Sequence, residues 1–69
     1  MTYWVEYEYS YILLNGEAIE DMDSGRFHCR KKDIEKAVME RVTKRLEYER
    51  YTNLNIYIND VYPTTYCEV

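Results

Sequence analysis

The sequence predicts an α+β fold of the ββαβ type: a three-stranded antiparallel sheet in spatial order 2-1-3, with one long helix packed on one face. Three features predict it. Residues 3–14 alternate with a period of two, Ile34, Ala37, Val38, Val42 and Leu46 recur at spacings of three and four, and residues 54–59 alternate again. A period of two places alternate side chains on opposite faces of a strand, whereas spacings of three and four gather side chains into one helical stripe.

In the first strand Tyr3, Val5, Tyr7, Tyr9, Tyr11 and Leu13 share one parity and Trp4, Glu6, Glu8, Ser10, Ile12 and Leu14 the other, where Glu6, Glu8 and Ser10 mark the wetter face. Tyr and Val suit a half-buried pleated surface. Asn15-Gly16 follows as a hairpin signal, because both residues tolerate positive φ. Residues 17–24 hold four acids with Ala18, Ile19 and Met22 between them, and they either continue the hairpin or loop out from it. Residues 26–30 read as the second strand, with Phe27 and Cys29 on one face and His28 on the other. The helix is expected within Lys31–Tyr51, a stretch with no Gly or Pro, starting at Asp33 as N-cap and fraying near Thr52-Asn53. Leu54, Ile56 and Ile58 make the dry face of the third strand, which Val61 and Tyr62 extend. Pro63 interrupts the ladder because it has no N–H. The tail, residues 64–69, is expected to be either a short edge strand or disordered.

A right-handed crossover through the helix sets the third strand beside the first and gives the 2-1-3 order. The expected core is Val5, Tyr7, Tyr9, Tyr11, Leu13, Phe27, Cys29, Ile34, Val38, Val42, Leu46, Leu54, Ile56 and Ile58. One helix covers one face only. The other face is expected to show Trp4, Glu6, Glu8, Ser10, His28, Asn55, Tyr57 and Asn59.

With 69 residues the chain makes a single domain. A chain of this size buries only about 60% of its unfolded surface, so a partner subunit would add useful burial and a homodimer is one expectation. Two cysteines, Cys29 and Cys67, are too few for a disulfide-built scaffold. The N-terminus lacks the basic-then-apolar pattern of a signal peptide, and no apolar run reaches the roughly 18 residues of a membrane span. The expected setting is the reducing cytosol, with both thiols free and no membrane contact.

The formal net charge is −4, and it is unevenly spread. Residues 1–25 carry six acids and no Lys or Arg, residues 26–50 carry all nine basic residues with five acids, and residues 51–69 carry two acids. An acidic hairpin end beside a mildly basic helix is therefore expected.

Little in this pattern points to catalysis. There is no glycine-rich phosphate loop, since the chain has two glycines. His28 and Cys29 are neighbours on a strand and so face opposite ways, which argues against a nucleophile–base pair. Asp21-Met22-Asp23-Ser24-Gly25 spaces carboxylates two apart as calcium loops do, but its glycine comes one place early and no closing glutamate follows. No paired spacing of Cys and His suggests zinc. Neither a metal nor any other cofactor is expected.

Two binding readings remain. In the first, a protein partner with a basic surface meets Trp4, Glu6, Glu8, Glu17, Glu20, Asp21, Asp23 and Tyr57. The acids would steer and the aromatics would anchor. In the second, nucleic acid meets the basic cluster Arg26, Arg30, Lys31 and Lys32. A pI near 4.9 and the glutamates among the sheet aromatics count against the second reading, because they repel phosphate. A short acidic chain with nine tyrosines is similar to small phage-encoded inhibitors of host defence or of DNA-handling enzymes. The resemblance is one of composition along the whole chain and transfers no residue. It implies a non-enzymatic inhibitor that occupies a partner's surface.

Overall fold

A computed structural model describes residues 1–64 of the chain. Strand β1 spans Thr2–Leu13, β2 Ala18–His28 and β3 Tyr51–Pro63; a 3-10 turn over Lys31–Asp33 leads into helix α1, Ile34–Arg45. The strands form one antiparallel sheet in the order β2-β1-β3, with the helix on one face. The ββαβ reading therefore holds.

The hairpin settles residues 17–24. Residues 18–24 belong to β2, which pairs with β1 without a break from Ile12↔Ala18 to Thr2↔His28 and ends there rather than at Arg30, while Glu17 stays in the turn. The turn differs from the expected pair of positive-φ residues. Gly16 has φ of 90° and Asn15 does not share that conformation. Gly16 N–H donates to the Leu13 carbonyl and Leu13 N–H to the Glu17 carbonyl, while Asn15 Oδ1 accepts from Glu17 N–H at 2.9 Å. Leu14 and Asn15 thus occupy the middle of a tight turn, and glycine alone takes the left-handed position.

Helix α1 is shorter than the interval free of Gly and Pro. Its start is delayed because Asp33 N–H donates to the Arg30 carbonyl and closes the 3-10 turn. Asp33 is the N-cap residue, but at φ −100° and ψ 5° it lacks the extended backbone that lets a carboxylate reach back, and its side chain makes no capping bond. The helix stops when its apolar stripe runs out. Ile34, Val38, Val42 and Leu46 are buried, whereas Tyr48 is 91% exposed and Glu47, Glu49 and Arg50 face solvent.

Strand β3 is longer than expected. It pairs from Leu13↔Tyr51 to Tyr3↔Pro63, with irregularities opposite Glu6/Tyr7 and Ser10/Ile12. Asn53, with φ of 57°, lies at the second of these. Pro63 does not interrupt the strand: β3 is an outer strand, and the missing N–H of Pro63 lies on its outer edge. Of the tail, only Thr64 falls within the described residues, donating its N–H to the Thr2 carbonyl at 2.9 Å.

The core is Tyr3, Val5, Tyr7, Tyr9, Phe27, Ile34, Val38, Val42 and Leu46. Tyr3 joins it although it was outside the expected set. Tyr11, Leu13, Cys29, Leu54, Ile56 and Ile58 are only half-buried. Length explains this. A 12-residue helix rises about 18 Å, whereas a 12-residue strand extends about 40 Å. The molecule is 46 Å long, and the helix covers only the part of the sheet from Tyr3 to Tyr9. Beyond it, Tyr11 stacks on Tyr9 with ring centroids 6.3 Å apart and meets Tyr51 edge-on at 5.7 Å.

Two arginines pull the helix toward β2. Arg41 lies over the Phe27 ring, 3.8 Å from its centroid, and donates to the Arg26 carbonyl. Arg45 meets the Asp23 carboxylate at 2.6 Å. Gly25 leaves room for Arg41: a Cβ at that position would sit 2.5 Å from the guanidinium.

Candidate functional site

The sheet face turned away from the helix is the candidate site. Strand register arranges it in rows. Arg26, Trp4 and Tyr62 form one row; Ser24, Glu6 and Asp60 the next; Met22, Glu8 and Tyr57 the third; Glu20, Ser10 and Asn55 the fourth. Antiparallel partners on one face lie close enough for their side chains to touch, so each row is a continuous strip across three strands.

Acids and large apolar groups interleave on this face. Met22 is 66% exposed, Tyr57 71% and Tyr62 44%, and Met22 and Tyr57 flank Glu8 on either side. Trp4 is half-buried between Arg26 and Tyr62 rather than fully presented as the sequence suggested. Glu8 Oε2 accepts from the Asn59 amide at 2.8 Å. Asp60 accepts from the Tyr62 hydroxyl at 3.0 Å. That bond, with the negative charges of Asp60 and Glu6 beside it, holds the Tyr62 hydroxyl above its ordinary range and keeps it a neutral donor. Two shallow hollows cross the face, one lined by Glu6, Met22, Ser24 and Asn59, the other by Glu8, Ser10, Glu20, Asn55 and Tyr57.

The expected acidic residues divide. Glu6, Glu8 and Glu20 share the open face with Trp4 and Tyr57. Asp21 and Asp23 sit on the helix face, where Asp21 accepts from the Tyr9 hydroxyl at 3.3 Å and Asp23 binds Arg45. Glu17 lies in the turn. Sequence reading missed Met22, Asp60 and Tyr62. Parity along a full-length β2 would have exposed Met22. The other two were hidden by the bulge at Asn59-Asp60, which leaves two consecutive residues on the open face.

The basic cluster also divides. Arg26 lies on the open face opposite Trp4, Arg30 precedes the 3-10 turn, and Lys31 and Lys32 border a hollow with Ile34, Glu35, Ile58 and Val61 on the helix side. These four residues form no single strip.

No family model, curated protein or solved structure matches this chain. The reading of the site therefore rests on its own geometry. Among the described residues, no group of three His, Cys, Asp or Glu side chains gathers as a metal site. His28, on the open face, shares a 2.9 Å hydrogen bond with the Thr2 hydroxyl, and Cys29 points to the other side as a half-buried free thiol. Cys67 lies outside the described residues. No described helix is long and apolar enough to cross a membrane.

Proposed function

We propose that this chain is a non-enzymatic protein-binding module whose open sheet face docks on a basic surface of a partner protein. One observation carries the reading: the row Met22–Glu8–Tyr57, with Glu6, Asp60 and Glu20 beside it, sets exposed apolar anchors among carboxylates on a face that no described residue covers. Large apolar side chains supply binding energy at the centre of an interface, and surrounding charges set orientation and the rate of encounter. Four carboxylates stand against one guanidinium across these rows, so the complementary surface is basic. Where such a surface normally holds nucleic acid, occupation by this module inhibits that binding. The compositional likeness to small phage inhibitors agrees with this reading.

The test is capture of a basic protein partner by the immobilised chain at low and high salt. Capture should weaken as salt rises, because exposed charges are screened. Glu6→Lys with Glu8→Lys should abolish it, while Glu17→Lys in the turn should have little effect. Equal capture by the unsubstituted chain and the strand variant would reject the open face as the contact.

A further inference from the structure

The two outer strands each present a backbone edge, and the two edges are built differently. Odd residues of β1 bond to β2 and even ones to β3, as the Cys29 N–H to Met1 carbonyl and Thr64 N–H to Thr2 carbonyl bonds show. Outward backbone groups therefore belong to the even residues of β2, and on β3 to Leu54, Ile56, Ile58 and Val61.

The β2 edge is capped by side chains of its own chain. Asp21 and Asp23 accept from the Met22 and Ser24 N–H groups at 2.8 Å each, and Arg41 donates to the Arg26 carbonyl at 3.0 Å. Strand β2 is also charged, with Glu20, Asp21, Asp23 and Arg26, and charge on an edge opposes strand addition. On β3, Asp60 caps the Val61 N–H. Residues 51–59, by contrast, hold no charged side chain in a chain that is 32% charged. Irregularities at either end leave Asn55–Ile58 in unbroken register with β1, and Leu54, beside the Asn53 step, continues the same alternation of burial, so that Leu54–Ile58 keeps one period. Because the helix is drawn toward β2, Leu54, Ile56 and Ile58 stay half-buried on the helix face.

We infer that this segment pairs, antiparallel, with the same segment of a second copy of the chain, with a two-fold axis at Ile56. In that register Ile56 meets its own copy and Leu54 of each chain meets Ile58 of the other, so every helix-face pair is aliphatic. Asn55 of each chain meets Tyr57 of the other on the open face, and no like charges oppose. Leu54, Ile56 and Ile58 of both chains supply the hydrogen-bonded positions. Moving the axis one residue one way would set Leu54 against Asp60 at one bulge, and the other way Ile58 against the polar Thr52 across the Asn53 step. The product is a six-stranded sheet with both helices on one side, the half-buried aliphatics meeting between them, and the acidic face left open on the other. This pairing stands independently of the partner-docking reading.

Sedimentation of the full chain from nanomolar to high micromolar concentration tests it, with amide exchange on the same samples. At high concentration the mass should reach twice the 8.5 kDa of one chain. The Ile56 and Ile58 amides should slow by about tenfold or more while Met22 and Ser24 stay unchanged. Asn55→Lys with Tyr57→Lys sets lysine against lysine at two exposed positions and should give a monomer with an unchanged circular dichroism spectrum. A monomer at every concentration overturns the inference, as does a dimer that leaves the Ile56 and Ile58 amides unprotected. If the lysine variant unfolds, the exchange result on the unsubstituted chain decides.

Discussion

Phe27 does two things at once. Its ring fills the β2 side of the core, edge-on to Tyr7 with centroids 6.1 Å apart, and its outer face supports the Arg41 guanidinium. Phe27→Ala leaves a cavity and removes that support. A loss of about 3–5 kcal/mol is expected, comparable to the whole stability of a small domain, so urea titration should find the variant largely unfolded. The tyrosines make a pH prediction. Burial, reinforced by the nearby Asp23 carboxylate, raises Tyr7 above its ordinary value of 10.0. Burial, with Asp21 next, raises Tyr9 in the same way. A raised value means that the folded chain holds these protons more tightly than the unfolded chain. The stabilisation is complete below pH 10 and is lost as pH rises through the folded values. Tyrosinate absorbance should therefore show Tyr7 and Tyr9, with the Asp60-bonded Tyr62, ionising late, and the ionisation of Tyr7 and Tyr9 should accompany the loss of near-ultraviolet circular dichroism. If every tyrosine titrated near 10 in a folded protein, Tyr7 and Tyr9 would not be buried as described.

At the scale of the elements, β3 depends on one left-handed residue. Asn53, at φ 57°, supplies the extra residue opposite the Ser10/Ile12 step. Asparagine tolerates this conformation, whereas alanine loses about 1–2 kcal/mol there. Asn53→Ala should lower the thermal midpoint and Asn53→Gly should not; equal melting of the two variants would show that the backbone is not held in that conformation. The same residue shows why the sequence was readable only in part. Tyr3 to Leu13 and Ile34 to Leu46 announce their structure because a single period governs each, and one buried face enforces it. Strand β2 gives no such signal. Asp21, Asp23 and Gly25 occupy its helix face, so polar residues stand where alternation would place apolar ones, and the reason is tertiary: Tyr9, Arg45 and Arg41 meet them there. Bulges at Asn53 and Asn59 break the period of β3 in the same way, which hid Asp60 and Tyr62 from the open face. Trp4, Glu6, Glu8 and Tyr57 could be placed on that face because they lie within unbroken alternation. The split of Asp21 and Asp23 from Glu20, like the exposure of Met22, follows from parity only once β2 is known to run unbroken from Ala18 to His28.

For the whole molecule the governing fact is a mismatch of lengths. Its radius of gyration is 13.5 Å, against the roughly 11 Å expected of a compact chain of this size. The buried residues gather where α1 lies over the sheet, and the hairpin end is held by the Tyr9–Tyr11–Tyr51 rings, half-buried aliphatics and backbone pairing. A two-sided sheet end without a packed helix opens at lower free energy than the covered end. Amide exchange of the monomer at low concentration should therefore be graded along the long axis. Inward-bonded amides of β1 and β2 near Val5, Tyr7 and Phe27 should exchange only by global unfolding, whereas those near Tyr11, Leu13 and Ile19 should exchange by local opening and respond little to urea. The grading also separates two kinds of substitution. Val5→Ala, beneath the helix, should lower global stability and speed exchange throughout, while Leu13→Ala should speed exchange at the hairpin end and leave the urea midpoint nearly unchanged. Uniform exchange in both variants would mean that the sheet unfolds as one cooperative unit, and that the helix stabilises strand ends it does not touch.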